Sequence, residues 1–459
     1  MKKNNLIING LTIMVFAMFG CSNPNQKKEE VRLITLNPGH FHAALVQKSM
    51  YEGVSPEVYV YAPEGDELDA HLRLIEKYNT SEEEPTSWKE NVYKGADFLQ
   101  KMLSEKKGNL VVLAGNNKEK TNYIAQSVQA GFNVLADKPM AIDAKGFDLL
   151  KSAFEDAKKK NVLLYDIMTE RYEITNTLQK ELFMMSDVFG ELEKGSKDNP
   201  AIIKESVHHF FKNVSGAPLI RPAWYYDVDQ LGNGLVDVTT HLVDLIQWTC
   251  FPEQVLSYQK DIKMNEAKRW ATLITPSQFK KSTNKDSYPE FLKKDVKDSI
   301  LSVYSNGEMN YTIKGVSAKV SVIWNYQAPE GTGDTHFSEI RGTKASLKIK
   351  QGKEQGFKPV LYIEPKQKDN MDYKKSLFDG FVKLAKKYPG VELKETSNGY
   401  EVIIPESYKL GHEAHFAEVT KKFLSYLKDG KLPEWEVPNM IAKYYTTTSA
   451  LELAKTTEN

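Results

Sequence analysis

The chain has 459 residues, 41% hydrophobic and 27% charged, a balance that excludes a disordered or fibrous protein and leaves room for two or three domains. Lysines plus arginines number 61, as do aspartates plus glutamates. No net field therefore favours nucleic acid or an anionic surface, and a neutral small molecule is the expected partner.

Lys2 and Lys3 precede the apolar run 6–19, and Gly20-Cys21 follows at once. A membrane span takes about 20 apolar residues, so the layout is that of a secretory leader. A small residue before a cysteine resembles the lipobox of bacterial lipoproteins, with Met18 where Leu is usual. Residues 1–20 are expected to be the signal peptide, Cys21 the lipidated residue and 21–30 a polar tether, in the cell envelope of a Gram-negative bacterium. Cys250 is then the one remaining thiol. Its setting between Thr249 and Phe251 predicts a buried structural residue.

From residue 31 strands and helices alternate. Strands are expected over 31–36, 58–61, 110–114, 133–136 and 162–165, and helices over 41–50, 68–78, 96–103, 121–130 and 146–158. This alternation over 31–165 is the pattern of a doubly wound, Rossmann-like parallel sheet, whose ligands lie beyond the carboxyl ends of the strands. Segments 37–42, 114–117 and 137–140 should line one crevice. Over 166–459 the texture changes. A helix at 174–185 is followed by strands near 206–210, 300–304, 310–313, 318–324, 335–340 and 346–350, with helices at 235–248, 414–427 and 437–454. That predicts an α+β domain with a large, mostly antiparallel open sheet.

Three segments in order resemble the Gfo/Idh/MocA oxidoreductases. The first is Leu113-Ala114-Gly115-Asn116-Asn117, leading to Ala136-Asp137-Lys138-Pro139, similar to the family's Glu-Lys-Pro motif with Asp for Glu. The second runs from Arg221-Pro222-Ala223-Trp224 through Gly232-Asn233-Gly234 to Asp237 and His241, like the family's glycine turn and Asp-x-x-x-His helix. The third, Glu339 to Leu347, is similar to its sheet hairpin. The resemblance implies a nicotinamide-dependent oxidoreductase, with Lys138, Asp237 and His241 at the catalytic positions and a C-terminal sheet that serves the substrate and often a homo-oligomer contact.

Oxidising an alcohol needs a base for the proton, a cation near the developing alkoxide and a hydride acceptor. Asp237 and His241 are spaced i, i+4, which on a helix lets the carboxylate orient the imidazole, and Lys138 offers the cation. The turn 36–42 keeps only Gly39 of the usual G-x-G-x-x-G, and after strand two the ribose acid is replaced by Tyr61-Ala62-Pro63, with Glu64 late. NAD and NADP both stay open. A remodelled site would use Asn37, Gly39, His40, Ala114, Asn116, Asn117, Asp137 and Lys138; otherwise the site has decayed. Trp224, Tyr226 and Asn233 are candidate contacts to a saccharide or polyol, although aromatics at such spacing also serve as core. Asp244 is expected to pair structurally. His412-Glu413-Ala414-His415 has its histidines at i, i+3 rather than the i, i+4 of a zinc helix, so no metal is expected. An envelope location without a soluble nicotinamide pool favours a tightly held cofactor. It leaves two alternatives: a glycoside-processing enzyme with transient sugar oxidation, and a non-catalytic carbohydrate-binding lipoprotein.

Overall fold

The computed structural model describes residues 30–214 and 217–457, so the expected leader and Cys21 lie outside the described residues. Six strands, β1 (Leu33–Leu36), β2 (Glu57–Ala62), β3 (Lys89–Lys94), β4 (Leu110–Leu113), β5 (Asn133–Asp137) and β6 (Leu164–Ile167), form a wholly parallel sheet in the order 3-2-1-4-5-6. β1, β4 and β6 are buried at every residue, as strands covered on both faces by helices must be. The order reverses between β1 and β4, and that switch point places a crevice beyond their carboxyl ends.

The expected helix over 41–50 shrinks to His42–Leu45. The Val46 carbonyl accepts from the Tyr51 hydroxyl at 2.8 Å and the Gln47 carbonyl from the Trp88 indole at 2.6 Å. Beyond Leu45 the backbone tightens into i, i+3 turns, Gln47 N–H to Ala44 O at 2.9 Å and Lys48 N–H to Leu45 O at 3.3 Å, and the carbonyls that follow are met by side chains instead of by further α-helical turns.

The second sheet has ten strands. Its main path runs Ile262–Ile274, Ile300–Ile313, Val316–Gln327, Ile202–Phe211, Thr335–Arg341, Ala345–Gln351, Val360–Pro365, Gly399–Ile403, Glu392–Thr396. Val316–Gln327 pairs with Ile202–Phe211 in parallel, and the other neighbours are antiparallel. The segments 300–304 and 310–313 are one continuous strand. Gly307 is not a turn there: a Cβ on it would lie 2.6 Å from the Leu235 side chain, so glycine lets the glycine-flanked loop before helix Thr239–Cys250 press against the sheet.

The expected boundary at 165/166 is crossed by the end of the chain. Helices His412–Asp429 and Glu436–Thr457 return to the first sheet, and Phe416, Phe423, Tyr426, Met440 and Tyr444 complete its core. Under them lies a buried ionic chain. Arg171 forks onto Asp244 with two 2.7 Å bonds and reaches Glu436 at 3.0 Å, while Lys443 bridges Asp166 at 2.6 Å and Asp244 at 2.8 Å. Asp244 is thus structural, as expected. Cys250 is buried and free, and burial pushes its thiol up to about 12. Among the described residues, no helix is long and apolar enough to cross a membrane.

Candidate active site

Lys138 follows β5 directly, and Asp237 lies in the loop before helix Thr239–Cys250. Their side chains meet at 2.8 Å and are 12% and 6% exposed. Burial alone would lower the Lys138 ammonium, but Asp237 and Asp137 outweigh it and hold its pKa above the ordinary lysine value. At neutral pH the cation is charged and fixed in place, the condition for stabilising an incipient alkoxide. The loop is shaped by its glycines: Gly232 has φ +110°, and a Cβ on Gly234 would run into the Ser305 carbonyl.

Asp237 does not orient His241 as the i, i+4 spacing suggested. The helix starts only at Thr239, and the chain before it runs in tighter turns, with Val236 N–H bonded to Asn233 O and His241 N–H to Val238 O at 2.9 Å each. The Asp237 carboxylate goes to Lys138 instead, and His241 Nδ1 is buried without a hydrogen-bond partner among the described residues. Burial first, then the Lys138 ammonium, pushes His241 down to about 4, so the imidazole is neutral near pH 7 and able to accept a proton.

His241 lines a cavity of about 380 Å³ together with Glu170, Asn176, His208, His336 and His412. Asn176 Oδ1 and His336 Nε2 are also buried without partners among the described residues. Each unmet polar atom costs about 1–3 kcal/mol, and although these three are shut off from the cavity space itself, the polar side chains that carry them give the cavity a lining suited to a polar ligand.

Between this cavity and the sheet stands a histidine group. His42 Nδ1 bonds Asp137 Oδ2 at 2.9 Å, and the His40 ring stands edge-on to His42 with centroids 4.0 Å apart. On the far side, His42 Nε2 faces His412 Nε2 at 3.5 Å, and His412 Nδ1 faces Glu170 Oε1 at 3.7 Å. Buried Lys120 donates to the backbone carbonyl of Asp137 at 2.9 Å, and burial lowers its pKa to about 8.

The crevice at the switch point carries a slot of about 210 Å³, lined by Asn37, Gly39, Glu64, Glu67, Asn116 and Trp224 among others. Its floor is bare backbone. A Cβ on Gly39 would come within 3.4 Å of Asn116 N and Gly115 Cα, and one on Gly115 within 2.7 Å of Asn37 O. The Gly39 and His40 amides, which would ordinarily face a pyrophosphate, both donate to the Ala114 carbonyl at 3.2 and 3.3 Å. The slot lies at the crevice where a doubly wound sheet takes its ligand, and those two amides are engaged by the Ala114 carbonyl.

Residues 178–455 match the family described as "Putative oxidoreductase C terminal domain", and residues 66–165 match "Oxidoreductase family, NAD-binding Rossmann fold". A "putative oxidoreductase" from Parabacteroides merdae, solved as a crystal structure, is 58% identical over 94% of this chain and 98% of its own, with a TM-score of 0.92. The chain belongs to the Gfo/Idh/MocA oxidoreductases. The family's fold extends to remote members. A levoglucosan dehydrogenase in complex with NADH is 12% identical, over 93% of this chain and 97% of its own, with a TM-score of 0.57. A "putative myo-inositol dehydrogenase" from Sinorhizobium meliloti is 13% identical, over 93% and 98%, with a TM-score of 0.52. No curated protein sequence matches this chain. As a Gfo/Idh/MocA protein it is an NAD(P)-dependent oxidoreductase, with a Rossmann domain that takes NAD or NADP.

Within this Gfo/Idh/MocA frame the expected contacts sort differently. Tyr226 is core: it stacks on Phe210 at 5.0 Å, and its hydroxyl bonds Ser282 at 2.5 Å. Asn233 does not line the His241 cavity; it faces a separate groove with Lys118 and Asp143. Trp224 lies on the nucleotide slot. Asn116 and Asn117 spend their amide nitrogens across the domain boundary, on Gln230 Oε1 at 2.7 Å and the Leu231 carbonyl at 2.6 Å, so both clamp the two domains together beside the crevice. Sequence reading missed Lys120, Glu170, Asn176 and His336 and set His412 aside; the five reach the site from five separate elements and share no local motif.

Proposed function

We propose that this enzyme oxidises a secondary hydroxyl of a saccharide or polyol bound in the His241 cavity, with NAD rather than NADP as hydride acceptor. One observation carries the reading: a buried, charged Lys138 acting on a neutral His241 whose cavity is lined by polar side chains. Hydroxyl groups both donate and accept, so a polyol suits such a lining. His241 takes the hydroxyl proton, Lys138 steadies the oxygen, and Asp237 holds Lys138. NAD supplies the hydride acceptor. Glu64 and Glu67 at the slot rim are exposed carboxylates that suit a ribose hydroxyl and repel a 2′-phosphate. The names of the levoglucosan and inositol dehydrogenases support the substrate class. The test is to incubate the protein with NAD and a panel of sugars and polyols and follow reduced nicotinamide. Turnover with NAD exceeding NADP, reduced about 10²–10⁴-fold in His241→Ala, is the expected result. A protein that binds neither dinucleotide would refute it.

The leader supports a second element of the proposal, that the enzyme is held at the cell envelope by a lipid on Cys21. Metabolic labelling with a fatty-acid analogue should mark the wild-type chain and not Cys21→Ala.

A further inference from the structure

We propose that His412 carries to solvent the proton that His241 takes from the substrate, and that His42 and Glu170 set its ring for that task. The proposal rests on the oxidation reading above. Each turnover of an alcohol releases one proton, and His241 has to lose it before it can act as a base again. Its Nδ1 is sealed among protein atoms without a hydrogen-bond partner, so the proton has to leave by way of the cavity.

Three other imidazoles line that cavity. His208 has both nitrogens engaged, Nε2 with the Ser206 hydroxyl at 3.0 Å and Nδ1 facing Asp334 at 3.5 Å. His336 has its Nε2 buried, and burial drives its pKa down to about 3. His412 differs, because 42% of its side chain is exposed. One ring thus borders both the cavity and water.

Its neighbours decide which nitrogen takes the proton. Burial would raise the Asp137 carboxyl, but His42 and Lys120 outweigh it and hold the group charged. A carboxylate at 2.9 Å makes His42 Nδ1 a donor, and burial keeps the His42 ring neutral. His42 Nε2 is left as an acceptor, so His412 Nε2 donates to it at 3.5 Å. The lone pair of neutral His412 is then on Nδ1, which faces Glu170 Oε1 at 3.7 Å. Burial would raise Glu170 too, but His412 and His241 bring it down to about 2. This carboxylate acts on both rings and steadies positive charge on either. The proton leaves His241, crosses a water or a substrate hydroxyl to His412 Nδ1, and passes to solvent as His412 returns to its neutral form.

The test is turnover of the full chain at low buffer concentration, with NAD and a sugar that the wild type oxidises, against His412→Ala. The exposed position predicts wild-type circular dichroism and, by calorimetry, wild-type binding of NAD and sugar. kcat should fall about 10-fold or more with KM unchanged, the solvent deuterium isotope effect on kcat should rise, and added imidazole should restore the rate in proportion to its concentration. An unchanged kcat, or a loss that imidazole does not repair, would overturn the proposal and leave oxidation by His241 standing. A wild-type chain that oxidises no sugar would overturn both.

Discussion

His241 is set for its task by what surrounds it rather than by a partner. Its imidazole is lowered to about 4 by burial and then by Lys138. A depressed pKa means the base form persists down to acid pH, so kcat/KM should climb through about pH 4 and be level above it, where an ordinary histidine would give a limb near 6.5. Lys138→Met removes one of the three depressing influences, the others being burial and His412. Its limb should shift upward toward 6.5, while the rate falls about 10²–10³-fold for loss of a charge stabiliser. pH–rate profiles of both proteins measure this, and an unmoved limb would show that the ammonium does not act on His241. Lys138, Asp237 and His241 were all legible as motif residues. Their pairing was not, because it depends on where helix Thr239–Cys250 begins: two residues after Asp237, too late for helical i, i+4 geometry.

At the scale of elements, the nucleotide slot depends on two loops touching through backbone alone. Gly115→Ala would place a methyl 2.7 Å from Asn37 O and 2.9 Å from Gly39 N, atoms held in the β1 turn that cannot swing aside as a side chain would. The expected cost is about 1–3 kcal/mol, seen as a lower thermal midpoint together with weaker NAD binding. The alternation that predicts the parallel sheet was plain because buried parallel strands are short unbroken apolar runs. Strand Ile262–Ile274 was missed for the opposite reason. It is an edge strand with register breaks between Met264 and Glu266 and between Trp270 and Thr272, so Lys263, Glu266, Lys268 and Arg269 do not keep a two-residue period. The hairpin Glu392–Thr396 with Gly399–Ile403 is short and charged at the sheet's other end, where little burial is available to pattern it.

Across the whole molecule, the ionic chain from Asp166 through Lys443, Asp244 and Arg171 to Glu436 ties β6, helix Thr239–Cys250 and helix Glu436–Thr457 together. The Lys443 ammonium and Asp166 are fully buried. Lys443→Met would strand the Asp166 charge out of water and remove half the support of Asp244, at a cost of about 3–5 kcal/mol. Urea unfolding should show a lower midpoint, with probes in both sheets falling in one transition because the helix belongs to both cores.

The return of the last two helices to the first sheet also orders events at the ribosome. β6 is complete by Ile167, yet Phe416, Phe423 and Tyr444, which seal that side of the sheet, are translated only after every strand of the second sheet. The nucleotide half therefore stays unsealed until the second sheet has been made and those two helices follow it.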